Sequence, residues 1–571
     1  MARVGDKTRK LIAILLMLGV ALVNIKGIFT DLDVDCEYAI AMSYRMARGD
    51  RMFLQMWEPH QTSAFLNAIL IRIFLWLTGS TTGIVLYLNA IGVLAKSTVA
   101  FFYYRTFKKH LEPEVLFFSC LFFLTVSAKD YLILDFSNMQ IYFSMFLFCS
   151  LFRYLQDQSK MRWLVGGAIF LCLETISYPT CALTFLVVIA VLWHWAERKG
   201  RDICIFSVSC ATAFVMYILY FCIRIGTEDF FNCIKMIMTG DYSHTITWNT
   251  RFQLYKRDLG QVLILFLICG TVSFVTVRLH RALLHSKMKQ QNRTERYLPY
   301  VLVFCCLLFL ENVISVIAMW ESFKLYVAVY YVIFAVAVIL CKRCDQKQQQ
   351  IFCLGAAISG SSCLAVLLLT NLGPLLTTGY FILGIMVSFI PIKNAFQEEN
   401  AVRENVYTYG VICAFLCATL FRNGFGMFSM SLGGGLCSNI LHIGGVVKEG
   451  PAIGIVSDYM GPYIMRHNYA EWKQHIRPGD RILIVSDSSN PLCYLYEDTV
   501  ISVDSTICTP TYNEKILEYW ERNPDRFPNI VIVECWYGEL KLAEESWIMQ
   551  WVEEHFDIYE DGTFLRFYTQ S

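Results

Sequence analysis

The sequence predicts a polytopic α-helical membrane protein carrying a small C-terminal α/β unit. Three observations carry that prediction. Hydrophobic residues make up 56% of the 571-residue chain and charged residues only 17%, against roughly 45–50% and 25% in soluble domains. Apolar runs of about 18 residues, the length that crosses a bilayer, recur along the first three quarters of the chain. Beyond residue 424 the content becomes ordinary and polar, with short β-branched runs. The formal charge is +1, from 48 Lys and Arg against 47 Asp and Glu. That balance excludes a globally basic nucleic-acid binder and a strongly acidic disordered tail.

Residues 1–10 are basic and lead into the first apolar run, 11–29, with no A-x-A-like site after it. They read as the start of an uncleaved first span. Further apolar runs cover 62–78, 83–104, 114–128, 138–155, 163–177, 180–196, 203–223, 260–277, 298–318, 323–341, 351–370, 375–391 and 405–421. Sidedness follows from the excess of Lys and Arg on the cytoplasmic side. Run 62–78 contains Asn67 and Arg72, and an Arg at mid-membrane costs about 2.5–3.5 kcal/mol on insertion scales. If this run lies in the outer interface without crossing, the basic loops 105–109, 198–201 and 278–296 all fall inside. The count is then about 24 Lys and Arg inside against about 10 outside. The expected layout is about thirteen spans, counted against the thickness of the bilayer core. It places the N-terminus in the cytoplasm and divides the chain into a transmembrane part, 1–423, and an extracytoplasmic unit, 424–571. The outer loops are 30–82, 129–137 and 225–258.

The 22 cysteines lie mostly inside apolar runs, where cysteine is a small hydrophobe. Cys341 and Cys344 make a single CxxC, short of the four ligands of a structural zinc site.

Candidate chemistry gathers in the outer loops. Loop 30–82 opens with DLDVDCEY, which puts Asp31, Asp33, Asp35 and Glu37 within seven residues. AIAMSYRMARGD follows with helical spacing of its apolar residues, as in an interfacial helix. A polar knot, Trp57-Glu58-Pro59-His60-Gln61, opens the non-crossing run. Loop 129–137 carries Lys129, Asp130 and Asp135 between two spans. The bland readings are a solvated acidic cap and snorkelling charges at span edges. Acids held at the interface between packed helices suit a reaction site better.

The ordered set of a basic start, one span, acidic outer loop, interfacial helix, span and Leu-Asp pair resembles the class C glycosyltransferases. Within them it is similar to the protein O-mannosyltransferase and lipid A aminoarabinose transferase branch. Asp33 and Asp35, Tyr38-Ala39, Gly49-Asp50, Glu58-Pro59-His60 and Leu134-Asp135 carry the resemblance, over roughly residues 10–225. It implies transfer of a sugar from a polyprenyl-phosphate donor to an acceptor hydroxyl on the outer face. A carboxylate, Asp33 or Asp35, would take the hydroxyl proton, with inversion and no covalent intermediate. Asp135 would position the acceptor, or share a divalent cation with the first acid. Asp35 and Asp135 are then the candidate Mg²⁺ or Mn²⁺ ligands, and the cation is optional.

The family has a Lys-Pro-Pro motif whose Lys helps hold the lipid phosphate; the corresponding residues here are Glu58-Pro59-His60. The cation must then come from His60, Lys129 or loop 225–258, where Arg251, Lys256 and Arg257 are the candidates. Glu58, Gln61 and Asp130 complete the candidate substrate-binding set. The implied partners are the polyprenyl-phosphate sugar, a glycan, lipid or protein acceptor, and membrane lipids, with no nucleic acid. The aromatics of loop 225–258 suit a lid over the donor or an interfacial belt equally.

In the C-terminal unit, DRILIVSDSSNPLCYLYEDTVIS and PNIVIVECWY read as strands. TYNEKILEYWERNP between them reads as a helix capped by Thr511 or Asn513. Strand, helix, strand argues parallel pairing, and no Gly-rich strand-to-helix turn supports a dinucleotide site. Asp487, Asp504 and Glu534 near strand ends read as solvated loop acids. Cys437, Cys493, Cys508 and Cys535 allow disulfides whose pairing the spacing does not assign. The sequon at Asn292 falls on the inner side and is discounted. A transporter or flippase of lipid-linked saccharides is the alternative function, with Glu174 and Glu311 inside apolar runs as its support. No clear internal repeat accompanies it. A non-catalytic scaffold for the outer unit is the third reading.

Overall fold

The computed structural model describes residues 6–30, 32–129, 131–240, 247–283, 293–318, 328–395, 403–428, 437–457, 460–486, 491–506, 515–537, 539–540 and 546–570. The first helices are α1 (Asp6–Thr30), α2 (Val34–Arg48), α3 (Ala64–Thr78), α4 (Ile84–Phe107), α5 (Pro113–Thr125), α6 (Phe136–Gln156) and α7 (Met161–Ser177). Then come α8 (Thr184–Trp195), α9 (Lys199–Ile225), α10 (Thr227–Gly240), α11 (Trp248–Leu283), α12 (Arg293–Ala318) and α13 (Ala328–Leu340). The helical part ends with α14 (Gln346–Leu369), α15 (Pro374–Thr377), α16 (Ile382–Ala395) and α17 (Arg403–Phe425).

Among the described residues, seven helices are long and apolar enough to cross a membrane, among them Lys10–Thr30, Ile84–Phe107, Lys199–Ile225 and Pro374–Asn394. Leu22, Met216, Ile223 and Leu267 stand exposed on such helices, an apolar surface that a bilayer covers.

Local chemistry sets the helix ends around the outer loops. Asp33 caps α2, its Oδ1 accepting the Cys36 N–H at 2.9 Å. Asp35 and Glu37 fall in the first turn, where negative charge complements the helix dipole. The acids expected in a loop are therefore largely helical. α2 stops at Gly49, whose φ of 114° is left-handed and suits glycine. Asp135 caps α6 in the same way as Asp33, accepting the Asn138 N–H at 2.8 Å.

Segment Gln61–Thr78, which contains α3, meets the length and hydropathy of a span, and both its ends are fastened by hydrogen bonds. Near its start Thr62 Oγ1 donates to Ile176 O, and Asn67 Nδ2 to Leu134 O. Just past its end Thr81 Oγ1 donates to Leu495 O and the Gly83 N–H to Gly450 O, both in the C-terminal unit. Arg72 donates to the Ala47 and Met46 carbonyls at the end of α2. These contacts pack α3 against the end of α2 and join its C-terminal end to the C-terminal unit.

One expectation is corrected in 225–258. The segment forms α10 and the start of α11, so Arg251, Lys256 and Arg257 are helical. RFQLYKRD contains no proline or glycine to stop a helix entering the following apolar run.

The C-terminal unit contains two short antiparallel pairs, β1 (Gly426–Phe428) with β2 (Cys437–Asn439) and β3 (Gly445–Val446) with β4 (Val456–Ser457). Its main elements are α18 (Met460–His475), β5 (Arg481–Val485), β6 (Val500–Ile501), α19 (Lys515–Arg522), β7 (Ile530–Trp536), β8 (Glu539–Leu540), α20 (Trp547–His555), β9 (Asp557–Asp561) and β10 (Leu565–Thr569). The sheet order is β6-β5-β7-β10-β9, with β8 pairing β7. β5 lies parallel to β6 and β7, but β10 is antiparallel to β7 and β9. The sheet is therefore mixed, because the chain after α20 returns as a hairpin. Both proposed caps, Thr511 and Asn513, lie outside the described residues, as do Asp487, Cys508 and Asn292. Cys493 and Cys535 are buried free thiols. One apolar core runs from Tyr38 and Ile40 of α2 through Leu492 and Tyr494 to Ile482, Val531 and Phe567. It is continuous across the 423/424 division.

Candidate functional site

Segment 126–135 is the platform of the site. It lies close against two glycines, which explains their identity. A Cβ on Gly92 of α4 would collide with the Leu132 carbonyl oxygen, and one on Gly379 with that of Ala128. Asn138 fastens the segment from inside, donating Nδ2 to the Tyr131 and Ile133 carbonyls at 3.0 and 2.8 Å.

On this platform Lys129 Nζ meets Asp35 Oδ2 at 2.7 Å, joining loop 129–137 to α2. Asp135 is buried, 1% exposed, and its Oδ2 accepts the Tyr131 hydroxyl at 2.7 Å. Asp33 is half-buried; one oxygen caps α2. Burial, then the neighbouring Asp35 charge, push the Asp33 carboxyl up to about 7. Burial raises Asp135 as well, against the pull of Lys129. Burial and then Asp33 push Glu37, one turn further along α2, up to about 8. Burial alone would lower Lys129, but Asp35 and Asp135 outweigh it and hold the ammonium charged. The structure thus brings Asp33, Asp35, Asp135 and Lys129 together.

His60 joins from the other side. Its ring stacks on Phe136, with centroids 3.9 Å apart, and Lys129 Nζ lies 4.3 Å from the same ring. Tyr178 stands 5.6 Å from His60, and Tyr380 stands 5.7 Å from Tyr178. The Tyr380 hydroxyl pairs with Ser137 Oγ at 2.7 Å.

The other predicted residues lie elsewhere or serve other contacts. Glu58 is fully buried, and its Oε1 receives Arg45 Nη1 at 2.7 Å. Arg45 also pairs with Asp50 at 2.9 Å, and Asp50 with Arg526 at 2.9 Å. Around them Trp57 N–H donates to Asp504 O, Asn523 Nδ2 to Leu54 O, and the Tyr519 hydroxyl to Gln55 O. This network fastens residues 45–58 to the C-terminal unit. Gln61 Oε1 accepts the N–H of Phe53, which has a strained φ of 63°.

Arg251 donates to Leu368 O at the end of α14, and Arg257 pairs with its neighbour Asp258 at 3.1 Å. Lys256 is exposed on α11. Asp130 and Asp31 lie outside the described residues. Asp504 and Glu534, read as solvated, are buried. Asp504 pairs with Lys515 at 3.2 Å, and Glu534 accepts the Ser486 hydroxyl.

The arrangement does not suit a divalent cation between Asp35 and Asp135. Lys129 occupies Asp35, and both oxygens of Asp135 already accept hydrogen bonds. Among the described residues no group of three His, Cys, Asp or Glu converges as a metal site.

Sequence reasoning missed Tyr131, Asn138 and the Phe136–Tyr178–Tyr380 aromatics. Asn138 sits three residues after a helix-capping Asp, a local signal within reach. The aromatics meet only through tertiary packing. Glu174, in an apolar run, accepts from Gln140 Nε2 and Ser362 Oγ at 2.9 and 2.8 Å.

No family model and no curated protein matches the chain. Among solved structures it is similar to the archaeal oligosaccharyltransferase AglB from Archaeoglobus fulgidus in complex with an inhibitory peptide and a dolichol-phosphate. The TM-score is 0.39 and the identity 10%, over 92% of this chain and 70% of that one. The apo form of the Archaeoglobus fulgidus oligosaccharyltransferase gives 0.39 and 10%, over 91% and 69%. Function is therefore read from the residues of the site.

Proposed function

We propose that the chain is an integral membrane glycosyltransferase that moves a sugar from a polyprenyl-phosphate donor to an acceptor hydroxyl. The reaction takes place at the extracytoplasmic face, with the N-terminus in the cytoplasm. The observation that carries this reading is the meeting of Asp33, Asp35, Asp135 and Lys129 in one part-buried cluster beside apolar helices.

Asp33 is the base. Asp35 is tied to Lys129 and Asp135 to Tyr131 and Asn138. A carboxyl poised near 7 matches proton transfer at neutral pH. The acceptor oxygen bonds to the anomeric carbon as its proton passes to Asp33. The bond from that carbon to the phosphate oxygen breaks, and the electron pair leaves with the polyprenyl phosphate. Lys129 and His60 face the departing charge, as charge stabilisation in a sheltered site requires. Attack opposite the leaving group inverts the anomeric centre. The C-terminal unit, locked onto the first outer loop, presents the acceptor.

The test is incubation of purified protein with a panel of polyprenyl-phosphate hexoses and pentoses plus membrane glycolipid acceptors. Release of polyprenyl phosphate that depends on Asp33 is expected. Intact donors with every acceptor, in protein that binds polyprenyl phosphate, would reject the reading.

A further inference from the structure

Where α7 turns into α8, a second polar cluster lies inside the helical layer, and the chemistry above does not use it. Glu174 is 0% and Gln140 1% exposed. Glu174 Oε1 is saturated by Gln140 Nε2 and Ser362 Oγ. Glu174 Oε2, Gln140 Oε1 and Thr180 Oγ1 are buried with no nitrogen or oxygen partner, and the Cys181 thiol, a weak donor, lies within reach of Glu174 and Thr180. Leaving such groups unpaired costs about 1–3 kcal/mol each, and an intramembrane acid is more expensive still. Two of the three open atoms only accept hydrogen bonds unless the acid is protonated, so the complement is a set of donors. A phosphate offers none and is repelled by a carboxylate; the hydroxyls of a sugar ring supply them.

The cluster is one aromatic layer away from the acids. The Tyr178 N–H donates to Glu174 O at 2.8 Å, and the Tyr178 ring faces His60 and Phe136 at 5.6 and 5.5 Å. Gln140 follows Asp135 by five residues on α6, about 7–8 Å along a helix. With the phosphate at Lys129 and His60, the sugar of the donor reaches this corner with its ring against Tyr178.

We propose that Glu174, Gln140 and Thr180 form the pocket that recognises the hydroxyls of the donor's sugar, and so set which sugar is transferred. This rests on the glycosyltransferase reading.

The experiment measures, for the full chain in nanodiscs, the affinity for bare polyprenyl phosphate and for the panel of polyprenyl-phosphate hexoses and pentoses. Wild type should prefer one glycosylated lipid over the bare one. Glu174→Gln should reduce that preference about tenfold while leaving bare-lipid affinity unchanged, which also reports an intact fold. Thr180→Val should weaken the preferred lipid several-fold with an unchanged or raised Tm, since an unpaired hydroxyl gives nothing to a dry core. Equal loss of both lipids, or an unaltered preference in both variants, overturns the pocket. A wild type that binds no polyprenyl lipid overturns the underlying function instead.

Discussion

Two charged clusters flank α2 and are built on opposite principles. The Arg45 network sets two cations, Arg45 and Arg526, against two carboxylates, Asp50 and Glu58. It is buried and balanced, and it bridges the first outer loop and the C-terminal unit. The Asp33 cluster sets three carboxylates against the one cation Lys129, and both Asp33 and Asp135 are held above the ordinary carboxylate range. A balanced network stores stability in its geometry. An acid-rich cluster gives up stability to keep a proton acceptor poised. Both begin in the same short stretch of sequence, and it is the charge balance that tells them apart.

The sharpest way to break this contrast is substitution on each side. Asp33→Asn keeps an equally good helix cap but removes the base, so transfer should fall about 10²–10⁴-fold with Tm unchanged or higher. Turnover assays paired with thermal unfolding check this; full turnover in the variant would remove Asp33 from the chemistry. On the other side, Arg45→Met leaves the buried Glu58 without its cation while Asp50 keeps Arg526, and breaking a buried pair costs about 3–5 kcal/mol. Unfolding in detergent should show that loss, with the surviving folded fraction still binding lipid.

Acidity supplies a third separation. In the folded chain Asp33 and Glu37 sit near 7 and 8, against 3.8 and 4.5 when unfolded. Between about pH 4 and 8 the folded state therefore holds more protons than the unfolded one, and stability falls as pH rises. Turnover runs the other way, dropping below about pH 7 as Asp33 protonates. Opposite slopes in unfolding and activity measurements are expected, and Glu37→Gln should flatten the stability slope. The smallest effect is at Tyr131. Tyr131→Phe removes one hydrogen bond to Asp135 and should cost about tenfold in turnover, roughly the net worth of such a bond to a charged group. Loss beyond a hundredfold would give Tyr131 a direct part in the chemistry.

How much was legible in the sequence follows the same division. The acids of the first loop, the helix after them and Lys129 beside Asp135 are local signals, and the structure gathers them. Glu58 was read as a substrate ligand because its partners are distant. Arg45 is 13 residues before it, and the Thr506 N–H that also reaches Glu58 comes from the C-terminal unit. Spacing cannot show that a carboxylate is already paired. Glu534 was missed for the same reason, since its partner Ser486 follows the neighbouring strand β5, 48 residues earlier in the chain. Arg251, Lys256 and Arg257 were read as loop cations, and the helix that carries them directs Arg251 to the end of α14.

The most direct measurement is the position of a lipid phosphate. A cryo-EM structure of the full chain with polyprenyl phosphate should show the phosphate within hydrogen-bond reach of Lys129 and next to His60, with Asp33 facing the space beyond it. Phosphate density on the Arg251–Arg257 face of α11, or against the Arg45 network, with the Asp33 cluster untouched, would contradict the account.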